Sequence, residues 1–169
     1  SAGSEITFSR MGKARAKFER TLANLLRARF PYLYVATWEE ARALQLITVA
    51  AKNIELIRTE RRVLDWSLTN GFTENGIAVE GDTKQPLKAL DFIENFEDPA
   101  VFVLKDFHIF LGGAGRPADA QVVRRLRDLV PAIKHSQRPK NVVFIAPSLV
   151  LPNELEKDVT VLEFELPSF

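Results

Sequence analysis

Short unbroken apolar runs alternate along this chain with longer stretches whose apolar residues recur every three to four positions. Tyr32-Leu33-Tyr34-Val35-Ala36 and Ala100-Val101-Phe102-Val103-Leu104 are of the first kind, the pattern of strands covered on both faces. Arg61 to Leu68, Asn141 to Ala146 and Val159 to Phe164 complete a set of five predicted strands. Of the second kind, Lys13 to Phe30 carries Phe18, Leu22, Leu25 and Leu26 at helical spacing. Thr37-Trp38-Glu39-Glu40 has the spacing of a capping box and predicts a helix to about Lys52, with Trp38, Leu44, Ile47 and Ala51 on one side. Pro86 suits the first turn of a helix ending near Phe96, and a further helix is expected from about Ala118 to Lys134, bent or ended by Pro131. Asn70 to Thr83, with Gly71, Gly76 and Gly81, reads as a loop able to carry a short hairpin, and Pro152 to Glu156 as a helical turn.

Strands alternating with helices require right-handed crossovers, so the predicted class is α/β, a three-layer sandwich around a mainly parallel sheet, preceded by an N-terminal helix. At 169 residues, 46% of them hydrophobic, one core is expected, in a single domain over 13–169. Residues 1–12 are expected to be a flexible or partly foreign N-terminus, and the ending Leu166-Pro167-Ser168-Phe169, directly after a strand, to be a cut inside a longer protein. A net charge of +1 argues against a globally basic nucleic-acid binder. The absence of cysteine removes disulfides, thiolate metal sites and thiol nucleophiles from consideration. No apolar run approaches the roughly 20 residues of a membrane span, so no membrane partner is expected and a cytoplasmic or equivalent organellar location fits.

Candidate chemistry is sought at the carboxyl ends of the strands, where open α/β sheets bind ligands. A phosphate-binding loop needs glycines, a lysine and a Ser or Thr between strand and helix. The first strand is followed by Thr37-Trp38-Glu39-Glu40 instead, and no glycine occurs from Lys13 to Asn70. Val103-Leu104-Lys105-Asp106-Phe107-His108 has the form of a Walker B strand, but Phe107 stands where a catalytic Glu would activate water. Asp106 and His108 fall on one face if the strand continues, where they could form a metal or acid/base pair, although two ligands without a third are a weak signal. The glycines at 112–115 lack dinucleotide-fingerprint spacing and read as a flexible connection, and His135 as an exposed helix end. Arg124, Arg125 and Arg127 crowd one helix with Asp128, as a salt-bridged solvated surface, a subunit contact or a site for a phosphate in trans. Lys13, Arg15, Lys17 and Arg20 make the first helix locally basic, as a solvated face or a partner surface.

Phe30 to Arg42, Leu104-Lys105-Asp106-Phe107-His108, Val123 to Leu129 and Leu151 to Asp158, in that order, resemble the N-terminal part of the AAA+ ATPases encoded as a hypothetical reading frame in algal chloroplasts and found in cyanobacteria and other bacteria. The resemblance implies the sheet order 5-1-4-3-2 and a degenerate ATPase-like domain ahead of the functional module. It makes Asp106 and His108 a Walker B remnant and Ser148 a sensor-like position. It implies no cofactor in this domain, with ATP and magnesium bound by the module that follows. That C-terminal module, or neighbouring subunits, would be the partner, in the cytoplasm or the chloroplast stroma. Two other functions stay open: a metal-dependent nucleotide-binding or phosphohydrolase site at Asp106, His108 and Ser148, and nucleic-acid binding through the basic first helix.

Overall fold

The computed structural model describes residues 2–163, with side chains from Gly12 onward. Helix α1 (Ala2–Arg27) precedes β1 (Tyr32–Ala36), α2 (Glu40–Lys52), a single turn α3 (Ile54–Ile57) and β2 (Arg62–Ser67). A hairpin of β3 (Gly71–Glu74) and β4 (Ile77–Ala78) follows, then α4 (Pro86–Asn95), β5 (Ala100–Lys105) and a 3-10 turn over Phe107–Phe110. Helix α5 (Ala120–Lys134), β6 (Lys140–Ala146), a second 3-10 turn over Asn153–Asp158 and β7 (Val159–Leu162) complete the described chain. Helix α1 thus begins upstream of the expected Lys13, and α5 passes through Pro131, which lies within its last turns.

The sheet has seven strands in the order β7-β1-β6-β5-β2-β3-β4, so the expectation of five strands is corrected to a mixed sheet. The strands from β7 to β2 are parallel, while β3 and β4 add antiparallel at the β2 edge. Two backbone features create the addition. Gly71, at φ +67°, lets the chain reverse after β2, and Asn75 and Gly76, at φ +51° and +78°, form a two-residue turn with both φ positive. That is the twist a tight hairpin requires, and Asn-Gly supplies it at little steric cost. A Cβ on Gly71 would lie 2.5 Å from the Thr83 hydroxyl oxygen, which accepts the Phe72 amide and clamps β3 in place.

Period-two alternation divides the strand side chains between two helical layers. Tyr32, Tyr34, Leu64, Trp66, Phe102 and Phe144 face α4 and α5, where Leu126, Leu129 and Leu90 meet them. Leu33, Val35, Val101, Val103, Val143 and Ile145 face α1 and α2, where Ala43, Ala50 and Ala51 bring α2 close to the sheet. The aromatic residues gather on the first face, with Phe107 in edge contact with Trp66 at 5.4 Å between ring centroids. Trp38 belongs to neither layer. It lies ahead of α2 and is 86% exposed, which overturns its expected place on one side of that helix with Leu44, Ile47 and Ala51. Length is the cause, because the helix starts only at Glu40 and Trp38 remains in the turn.

The glycine stretch at 112–115 forms a defined turn, in which the Arg116 amide donates to the Gly113 carbonyl. A Cβ on Gly113 would sit 3.2 Å from the Val150 methyls, so glycine here permits close approach of the loop that follows β6.

Candidate functional site

Parallel strands deliver their carboxyl ends to one edge, and β1 and β6 part company there. After β1 the chain crosses to α2, on the layer shared with α1, whereas after β6 it turns to the opposite layer, where Leu155 packs under α5. Such a divergence leaves a crevice between adjacent strands, the position at which doubly wound sheets take ligands. Thr37, Trp38 and Glu39 form one lip, and Pro147, Ser148 and Leu149 the other.

The lip after β1 is occupied by its own backbone bonds. The Thr37 amide donates to the Ala146 carbonyl at 2.8 Å, extending the β1–β6 ladder by one step. The Thr37 hydroxyl accepts from the Glu39 amide at 3.0 Å. The expected capping box between Thr37 and Glu40 is therefore absent: Glu39 is the cap residue and no side chain caps the helix. Glu40 has no free Thr37 amide to reach, since the neighbouring strand holds it. Glu39 and Glu40 still place negative charge at the positive end of α2, and Arg42 pairs with Glu39 at 3.5 Å. An incoming triphosphate would meet carboxylates in the first turn and neither the glycines nor the lysine of a phosphate loop.

At the end of β5, Lys105 pairs with Asp65 at 3.0 Å, and the Thr73 hydroxyl donates to the same carboxylate. Asp106 then adopts a left-handed conformation, φ +57°, while its amide donates to the Ile145 carbonyl at 2.9 Å. The strand stops, and the chain enters the 3-10 turn with Phe107 fully buried against Trp66 and Phe144. Asp106 and His108 are therefore not successive residues on one strand face, and the condition for pairing them is not met. Asp106 is exposed, while His108 is half-buried with its Nδ1 buried and unpartnered. Among the described residues no three His, Cys, Asp or Glu side chains gather closely enough to hold a metal ion.

Ser148 acts through its backbone. Its carbonyl accepts from the Tyr34 hydroxyl at 2.6 Å, the Tyr34 hydroxyl oxygen in turn accepts from the Val150 amide at 3.2 Å, and the Ser148 side chain faces solvent. Burial raises the Tyr34 pKa above its ordinary value, against a smaller opposing effect of the Val150 amide, so the phenol remains a donor at neutral pH. Tyr34 was not singled out from sequence. The signal was a hydroxyl-bearing aromatic in an otherwise apolar buried strand, which must find a polar partner. Tyr34→Phe is expected to cost about 1 kcal/mol and to speed hydrogen exchange at the Val150 amide, with little effect on the β1 amides. Unchanged exchange at Val150 would show that the loop is held in some other way.

Of the surface candidates, Arg125 is already engaged, donating to Asp91 and Glu94 and so binding α5 to α4. Arg124 pairs with Asp128 one helical turn on at 2.9 Å, while Arg127, and Lys13, Arg15, Lys17 and Arg20 on α1, are exposed. His135 is exposed at the end of α5, as its sequence position implies. Among the described residues, clefts of about 310 to 460 Å³ occur elsewhere, for example beside Leu44 and Asp65 and beside Phe30 and Lys134, away from Thr37, Trp38, Asp106 and Ser148.

The model of the SpoVK-like AAA ATPase N-terminal domain family matches residues 18–164. The uncharacterized AAA domain-containing protein ycf46 of Guillardia theta is 35% identical over 156 residues, which cover 89% of this chain and 28% of that protein. Its counterpart in Trieres chinensis is 35% identical over 153 residues, with the same two coverages. That of Gracilaria tenuistipitata var. liui is 28% identical over 154 residues, covering 90% and 29%. The chain thus spans about 28% of the length of the curated relatives it matches. A chain in the structure of Drosophila ORC bound to AT-rich DNA and Cdc6 aligns with 96% of this chain and 58% of its own length, at 11% identity and a TM-score of 0.48.

Proposed function

The chain belongs to the family of SpoVK-like AAA ATPase N-terminal domains, and from that premise we propose that it is a non-catalytic domain that regulates or assembles the ATPase module of a longer polypeptide. The observation that carries this reading is the turn after β1. Its amides at Thr37 and Glu39 are consumed within the fold, and Glu39 and Glu40 occupy the helix start where a phosphate would need glycine amides and a lysine. The end of β5 supports the same reading, because Phe107 is committed to the core and Asp106 points away on a left-handed residue. ATP and magnesium are then the business of the following module, in the cytoplasm or in the stroma of a plastid. No helix among the described residues is long and apolar enough to cross a membrane.

The test has two arms. The 169-residue chain is expected to show no magnesium-dependent ATP turnover, and removing it from the longer polypeptide to change that polypeptide's assembly size or ATPase rate. Turnover by the chain that Asp106→Ala abolishes would overturn the proposal, as would a longer polypeptide indifferent to the deletion.

A further inference from the structure

Two tryptophans occupy opposite extremes in this domain. Trp66 is fully buried, whereas Trp38 is 86% exposed at the crevice between β1 and β6. Leu149, on the other lip, is 52% exposed, and Leu68, just past the end of β2 on the same edge, is 50% exposed. Glu39 and Glu40 follow Trp38 in the chain, with Arg42 paired to Glu39, and exposed Asp106 lies at the same carboxyl edge of the sheet, beyond β6. An exposed tryptophan ringed by polar residues is the side chain most often found to dominate a protein interface.

The course of the chain says what would cover it. Strand β7 runs parallel to β1 with Leu162 beside Val35, three residues before Trp38. Whatever follows β7 therefore leaves at the carboxyl edge, about 4.8 Å from the strand that carries Trp38. In the curated relatives, roughly seven-tenths of the protein lies outside the matched region. A segment tethered at that edge reaches Trp38 at an effective concentration in the millimolar range for a short linker, well above that of a free partner.

We propose that Trp38, with Leu149, is the docking anchor for the AAA domain that follows in the same polypeptide, received in an apolar recess rimmed by basic side chains that complement Glu39, Glu40 and Asp106. This rests on the function proposed above and gives it a surface. The crevice that binds nucleotide in catalytic members of this fold class would here hold the neighbouring domain.

Hydroxyl-radical footprinting read by mass spectrometry tests the assignment, comparing Trp38 oxidation in the 169-residue chain and in the full-length polypeptide. In the full-length protein the Trp38 rate is expected to fall about tenfold, as for a side chain at the centre of an interface, while Trp66 stays slow in both. Trp38→Ser should leave the thermal midpoint of the 169-residue chain unchanged and, in the full-length protein, restore rapid oxidation at Leu149. Equal Trp38 rates in the two proteins would overturn the proposal. So would protection that appears on concentrating the 169-residue chain alone, which would make a second copy the occupant. The reading of this domain as a regulator stands or falls separately, on whether its deletion alters assembly or ATPase rate.

Discussion

Asn141→Leu is expected to destabilise the domain by about 3–5 kcal/mol, because it strips a buried cation of its acceptor. Arg61 is only 2% exposed, and no carboxylate pairs with it among the described residues. Its guanidinium donates to the Asn141 side-chain oxygen, while its Nε has no partner. Burial, with the nearby Arg29 charge as a second cause, lowers the Arg61 pKa to about 10. Even so the side chain is charged at neutral pH, and the fold carries it at a cost. The Asn141 amide also donates to the Phe30 carbonyl at 2.8 Å, so leucine would remove that bond as well as the acceptor of the buried Arg61. The double variant Arg61→Met, Asn141→Leu is expected to recover much of the loss, since the charge that needed Asn141 is gone. Urea midpoints of the two single variants and the double variant measure the coupling. A loss below about 1 kcal/mol for Asn141→Leu would mean that water reaches Arg61.

Trp66→Ala should cost a similar amount, about 3–5 kcal/mol, for a different reason. Trp66 is fully buried on β2 against Phe107 and Phe110, and its indole nitrogen donates to the Thr83 carbonyl at 2.6 Å. Thr83 in turn accepts the Phe72 amide through its hydroxyl. One side chain thus links β2, the turn after β5 and the return from the hairpin. Alanine leaves a cavity and frees the 79–85 segment, so exchange at the Phe72 amide should accelerate together with the loss of global stability. Trp66→Phe keeps most of the volume and loses the hydrogen bond, and is expected to cost about 1–2 kcal/mol. Equal destabilisation by both variants would assign the effect to the Thr83 bond instead of the packing.

Both predictions concern residues whose importance is hard to see along the chain. Arg61 beside Arg62 reads as the polar flank of a strand, and only the crossing of its side chain under β5 to Asn141 buries it. Arg125, in a run with Arg124 and Arg127, reads as surface, until α4 brings Asp91 and Glu94 within reach. The capping box at Thr37 had the right residues at the right spacing and failed because β6, more than a hundred residues away, supplies the Ala146 carbonyl that holds the Thr37 amide. Asp106 and His108 separated for a related reason. The Asp106 amide bonds to Ile145, the backbone turns left-handed, and burial of Phe107 outweighs continuation of the strand. The hairpin is more legible, because Asn75-Gly76 is a strong local turn signal whose two positive φ angles suit a tight reversal.

The sequence by itself determined where the five parallel strands and the main helices lie, since their periodicity is set by which faces must be buried and needs no knowledge of neighbours. It also determined that the phosphate-loop residues are missing after β1, because that is a matter of residue identity. Tertiary structure alone decided how the space left by that loop is used. A backbone amide bonds to one acceptor at a time, and the acceptors that bind Thr37 and Asp106 come from a strand distant in sequence. Those bonds extend the β1–β6 and β5–β6 ladders by one step each and leave Trp38 exposed in the turn after β1, the feature from which an interface can be argued.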